Sequence, residues 1–108
     1  MNILWVLVNC NSAEEAERIG DRALTTHLAA CFDIFPRALT RYFWPPKSGT
    51  VEQGAGALLV LETLPKHFRE LEQLVTELHS DELPFIGSLD IANVRSEYAN
   101  WLSGELKE

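Results

Sequence analysis

The stretch THLAACFDIFPRALTRYFW, Thr26 to Trp44, decides how this chain is to be read. His27 and Cys31 stand four residues apart in it, the spacing that puts two side chains on one face of a helix. The residues around them argue against a continuous helix. Cys31 to Phe35 is rich in aromatic and branched side chains, which suit a pleated strand. Pro36 interrupts a hydrogen-bond ladder, as at a sheet edge or a bulge. Ala38 to Trp44 then resumes the extended pattern. The chain therefore changes from helix to strand between His27 and Cys31. Helical spacing does not apply, and the pair reads as structural, not as two ligands of one metal.

Working outward toward the N-terminus, Ile3 to Val8 is apolar throughout and fits a central strand. Asn11 to Ala30 reads as a helix running to the turn. Ser12 and Glu15 make a capping box, in which each side chain satisfies a free backbone N–H. Ala16, Ile19, Ala23, Leu24 and Leu28 recur at helical spacing, with His27 beside that stripe. Toward the C-terminus, Pro45 to Gly56 holds two prolines and three glycines and reads as a hairpin loop. Ala57 to Glu62 is the next strand. Thr63 to His79 is a second amphipathic helix with Pro65 in its first turn, where a missing N–H costs nothing. Its buried stripe is Phe68, Leu71, Leu74, Val75 and Leu78, and its His67 faces water. Ser80 to Pro84 is a loop, Phe85 to Val94 a last strand. Ser96 to Leu106 is a third helix, capped by Ser96, with Tyr98, Trp101 and Leu102 turned inward.

This order, β-α-β-β-α-β plus a terminal helix, predicts a single α+β domain over residues 1–108. The class is the ferredoxin-like split βαβ arrangement, an antiparallel sheet with both main helices on one face. Ile3 to Val8 and Ala57 to Leu61 leave no water-facing side on their strands. The expected cover for the second face is another copy of the chain.

The chain has 108 residues, 46% hydrophobic and 23% charged, with a formal charge of −7. Its nine Lys and Arg are scattered, so the clustered cations that nucleic-acid binding requires are missing. The opening apolar run is short and lacks a basic flank, which reads as a strand and not as a signal peptide or membrane span. Two isolated cysteines suit a reducing compartment, so the expected location is the cytoplasm. No GxSxG, P-loop, HExxH or CxxC motif points to an enzyme.

Six segments in register resemble the CutA divalent-cation tolerance proteins: Leu28–Cys31, Ile34–Pro36, Arg41–Trp44, Leu58–Thr63, Glu77–Ile86 and Glu97–Leu102. The resemblance spans nearly the whole chain. It implies a ferredoxin-like subunit, a homotrimer of the kind formed by PII signalling proteins, and a non-enzymatic role in tolerance of divalent metal, copper above all. The departures bear on the site. Where the family reads His-Pro-Tyr-Glu-x-Pro, this chain has His79-Ser80-Asp81-Glu82-Leu83-Pro84. Where the family carries a lysine before a threonine, this chain has Glu62.

The resemblance points to Cys10, at the end of the first strand, and His79, at the end of the second helix, as a metal pair. Thiolate and imidazole suit copper, and after it zinc. Read from the residues alone, Cys10 is equally a buried thiol and His79 a helix-end cap. Trp44, Glu62, Asp81 and Glu82 are candidates for a cleft between subunits. A PII-like small-molecule sensor or protein-interaction trimer is the alternative function for such a cleft. Tyr42, Phe43 and Trp44 read first as core or subunit contact. No organic cofactor is indicated, and a protein partner other than the chain itself has no signature.

Overall fold

Alternation along β1 (Ile3–Cys10) sets the layers of the computed structural model, which describes residues 2–108. Leu4, Val6, Val8 and Cys10 are buried on one face, while Trp5, Leu7 and Asn9 are half-buried on the other. The elements that follow are α1 (Ala13–Thr25), β2 (Cys31–Phe43), β3 (Val51–Thr63), α2 (Phe68–Leu78), β4 (Ile86–Ile91) and α3 (Ser96–Glu105). A 3-10 turn, Pro65–His67, leads into α2. The four strands form one sheet in the order β2-β3-β1-β4, every neighbouring pair antiparallel. This is the ferredoxin-like split βαβ arrangement with a helix added at its end. Ala16, Ile19 and Ala23 of α1 and Leu71 and Val75 of α2 close over Val6, Val8, Leu59 and Leu61 as one core.

The helix-to-strand change falls where the residue pattern places it. α1 ends at Thr25, and His27 adopts a left-handed φ of 57°. The N–H groups of Leu28 and Ala29 both return to the Ala23 carbonyl, and β2 opens at Cys31. The exposed His27 ring meets the Glu105 carbonyl through Nδ1 at 2.9 Å, far from any role beside Cys31. β2 is an edge strand, and its register with β3 shifts between Arg37 and Thr40, just after Pro36.

Several local expectations are corrected. β3 starts at Val51, not Ala57, because its pairing with β2 begins at Phe43 opposite Val51 and resumes beyond the register shift at Arg37. β1 ends opposite Ala57, so the outer part of β2 and β3 is a two-stranded arm held by backbone pairing. Glycines do not break such an arm. At Gly56 glycine is required, since a Cβ there would lie 2.2 Å from the Cys10 carbonyl oxygen.

His67 is buried, not solvated. Its 3-10 turn rotates side chains differently from an α-helical turn, and its Nε2 has no hydrogen-bond partner among the described residues. Burial lowers its pKa from 6.5. Leu24 lies at the rim of the α1 stripe and is exposed.

Ser96 is the first residue of α3 and makes no cap; the N-cap is Arg95. Tyr98 and Trp101 are partly exposed, because only Ala99 and Leu102 face the small cluster with Ile3, Leu64 and Leu106. α3 thus covers one end of the second sheet face. Phe35 and Leu89 on that face remain about half exposed, at 48% and 53%.

Candidate metal centre

β1 delivers Cys10 to the edge of the core, where its thiol is fully buried. Two residues later Ser12 caps α1, its Oγ accepting the Glu15 N–H at 3.0 Å. The reciprocal half of the expected capping box does not form, because the Glu15 carboxylate is engaged elsewhere. Its Oε1 accepts the Asn11 N–H at 2.9 Å and its Oε2 the Ser80 N–H at 2.9 Å. The carboxylate therefore ties the β1–α1 turn to the segment that leaves α2.

His79 is the C-cap residue of α2, and its side chain is fully buried. Nδ1 accepts the Asp81 N–H at 2.9 Å, and Nε2 lies 2.7 Å from the Asn9 carbonyl oxygen. An accepting Nδ1 assigns the proton to Nε2, which donates to Asn9. The same Nε2 stands 3.7 Å from Glu15 Oε1. Cys10, Glu15 and His79 bring one ligand atom each within 4.8 Å of one another, and all three residues are buried.

Electrostatics set the conditions for use. Burial pushes the Cys10 thiol up to about 12, and the adjacent Glu15 charge adds to the effect. Burial would raise Glu15 as well, but the bonds from Asn11 and Ser80 and the neighbouring His79 outweigh it, holding the carboxyl below its ordinary 4.5. Sulfur, imidazole and carboxylate together fit a borderline or soft cation such as copper or zinc. Each donor is already occupied. A cation must displace the thiol proton and the Nε2 proton, because metal ligands bind deprotonated.

The other candidates divide. Trp44, Asp81 and Glu82 line one cleft of about 550 Å³, together with Arg37, Tyr42 and Phe85. Glu62 is not part of it. On β3 it pairs with Trp5, while Ala57 pairs with Cys10; five residues of strand, about 16 Å, separate the two positions. Glu62 is buried, accepting from the Trp5 indole N–H at 2.9 Å and from the Tyr98 hydroxyl. The Glu62 carboxylate holds the Tyr98 pKa well above its usual value, and burial reinforces this.

Sequence reasoning missed Glu15 as a site residue by assigning it wholly to the helix cap. The available signal was its place in the first turn after a strand end, where a side chain can reach back over that strand. It also missed Asn11, whose Nδ2 donates to Ser80 Oγ at 3.0 Å and to Asp81 Oδ1 at 2.8 Å across the mouth of the centre.

Comparison with known proteins gives a consistent result. The profile of the family described as CutA1 divalent ion tolerance protein matches residues 4–105. The divalent-cation tolerance protein CutA of Thermus thermophilus is 34% identical over 97 residues, covering 90% of this chain and 91% of that one. The CutA homolog of Danio rerio is 31% identical over 98 residues, which are 91% of this chain but 63% of the longer relative. The periplasmic divalent cation tolerance protein CutA of Archaeoglobus fulgidus has a solved structure similar to this one. The TM-score is 0.91 at 28% identity, covering 97% of this chain and 99% of that one.

Proposed function

The chain belongs to the CutA1 divalent ion tolerance protein family, and from that premise we propose that it contributes to metal tolerance by reversibly holding a soft divalent cation, copper ahead of zinc, between Cys10, Glu15 and His79. The observation that carries this reading is the convergence of a thiol, a carboxylate and an imidazole, all three buried, within 4.8 Å of one another. Copper heads the order because imidazole and thiolate donors favour it over the other first-row divalent ions. With three donors from one chain, a further position is left for solvent or a neighbouring subunit.

In this reading the protein is non-enzymatic and homotrimeric, and it acts in the cytoplasm. The half-exposed apolar sheet face supports self-assembly. Two isolated thiols, Cys10 and Cys31, are compatible with a reducing location. Opposite Ala57 and Glu62 of β3 they stand too far apart to pair within one chain. The test is calorimetric titration with zinc and, anaerobically, with copper, on wild type, Cys10→Ser and His79→Ala. Stoichiometric binding that either substitution removes supports the assignment. Binding left unchanged in both variants rejects it.

The cleft supports a second reading, a PII-like trimer that senses a small molecule or docks a protein. Its favouring observation is the meeting of Arg37, Trp44, Asp81 and Glu82 around about 550 Å³. A wild type that binds no metal but is stabilised against heat by a metabolite would favour it over the first.

A further inference from the structure

Two of the three donors of the centre, Glu15 and His79, also fasten the chain that leaves α2, and from this we infer that cation binding unclasps the start of the 80–85 segment, at Ser80 and Asp81, and thereby reshapes the neighbouring cleft. The inference rests on the metal reading above. Three hydrogen bonds join the end of β1 and its following turn to the segment leaving α2, or fix that segment in place. They are Ser80 N–H to Glu15, Asp81 N–H to His79 Nδ1, and His79 Nε2–H to the Asn9 carbonyl, while Asn11 N–H to Glu15 orients the carboxylate. The Asn11 side chain adds two more, to Ser80 and Asp81.

The ring nitrogen that faces Glu15 is Nε2, the one whose proton binds Asn9. A cation on Nε2 requires that proton to leave, so the bond to Asn9 is lost outright. A neutral imidazole keeps one N–H, so the proton moves to Nδ1, which becomes a donor facing the Asp81 N–H, and that bond is lost too. A cation on Glu15 Oε1 competes in the same way with the Asn11 N–H. The carboxylate has lone pairs to spare, so its bond to Ser80 can persist. Occupancy therefore removes both bonds of the His79 ring and competes with the Asn11 bond that orients the Glu15 carboxylate.

The consequence reaches the cleft because the loosened segment is one of its walls. Ser80, Asp81, Glu82 and Phe85 line one side, and Tyr42 and Trp44 of the β2–β3 arm line the other. Differential binding of the cation to the open and closed segment is what would couple the two sites, and the coupling is reciprocal.

The experiment measures backbone amide exchange at Ser80 and Asp81 by NMR in the wild-type protein, without metal and with saturating zinc, which is diamagnetic. Parallel calorimetry reports whether zinc is bound. With zinc bound, exchange at Asp81 is expected to accelerate by about tenfold, the size of one lost hydrogen bond. Asn11→Ala, which removes two fasteners, is expected to accelerate exchange without metal and to bind zinc more tightly than wild type. If calorimetry shows zinc bound at Cys10 and His79 while Asp81 exchange is unchanged or slower, the unclasping is overturned and the metal site stands. If zinc does not bind, the unclasping is overturned, and the metal reading falls with it when copper fails to bind as well. If Asn11→Ala binds zinc no tighter despite faster exchange, the coupling is overturned.

Discussion

The Cys10 thiol lies among apolar side chains with the Glu15 carboxylate beside it, and both hold its proton on. With the pKa pushed up to about 12, only about one part in ten thousand is thiolate at pH 8. A disulfide reagent at that pH should therefore label the half-buried Cys31 well before Cys10, and Cys31→Ser should react only as fast as the fold opens. Rapid labelling of folded Cys31→Ser would show that Cys10 is reachable and ionised. Glu15 carries a second prediction. Replacing it with glutamine leaves one acceptor where two backbone N–H groups, of Asn11 and Ser80, are now satisfied. The cost should be about 2–3 kcal/mol at pH 7, measured by urea denaturation. The sign with pH follows from the depressed carboxyl pKa. The wild-type contribution is present above about pH 4.5 and is lost as pH falls through the lower folded-state value, so the gap between wild type and Glu15→Gln should close in acid.

At the scale of elements, the sequence pattern is informative where side chains pay out their burial locally, and silent where the backbone or distant contacts decide. The apolar run Ile3 to Val8, the α1 stripe and the break between His27 and Cys31 are all readable, because each reflects its own periodicity or branching. The start of β3 is not. Val51 to Ala55 is exposed and glycine-bearing, and only its pairing with β2 makes it a strand. The same limit hides the site. Cys10 and His79 could be named from a family resemblance, but Glu15 joins them through hydrogen bonds to residues 4 and 65 positions away along the chain. His67 was misplaced because an α-helical period was applied to a 3-10 turn. Gly56 offers a direct check on how tightly β3 passes the end of β1. Gly56→Ala places a Cβ in the Cys10 carbonyl, and the backbone must yield. It should lose about 1–3 kcal/mol in urea denaturation. Gly104→Ala, in α3 with open space around it, should gain about 0.5–1 kcal/mol from helix propensity alone. Equal effects at the two positions would refute the close approach.

For the whole molecule, the question is what hides the second face of the sheet. α3 covers the end around Ile3 and Glu62, but Trp5, Leu7 and Leu58 are only half-buried, with Phe35 and Leu89 more exposed beside them. The β2–β3 arm extends past the end of β1, in a chain 47 Å in its longest dimension, and carries Leu39, Phe43 and Val51 into solvent. β2 is also a free edge of 13 residues, a row of unpaired backbone groups open to another strand. An isolated chain would leave all three features bare. A contact between unlike surfaces, face or edge against arm, is heterologous and closes as a ring when the rotation permits. The proposed reading has three copies close it. Light scattering of the purified protein should then give three times the chain mass of 12.2 kDa, independent of concentration over the micromolar range. Leu89→Lys and Phe43→Asp should each lower that mass while leaving far-UV circular dichroism unchanged, because both side chains lie outside the core of the single chain. A folded wild type that scatters as one chain, or variants that stay at the wild-type mass, would mean that these apolar surfaces are not the assembly contacts.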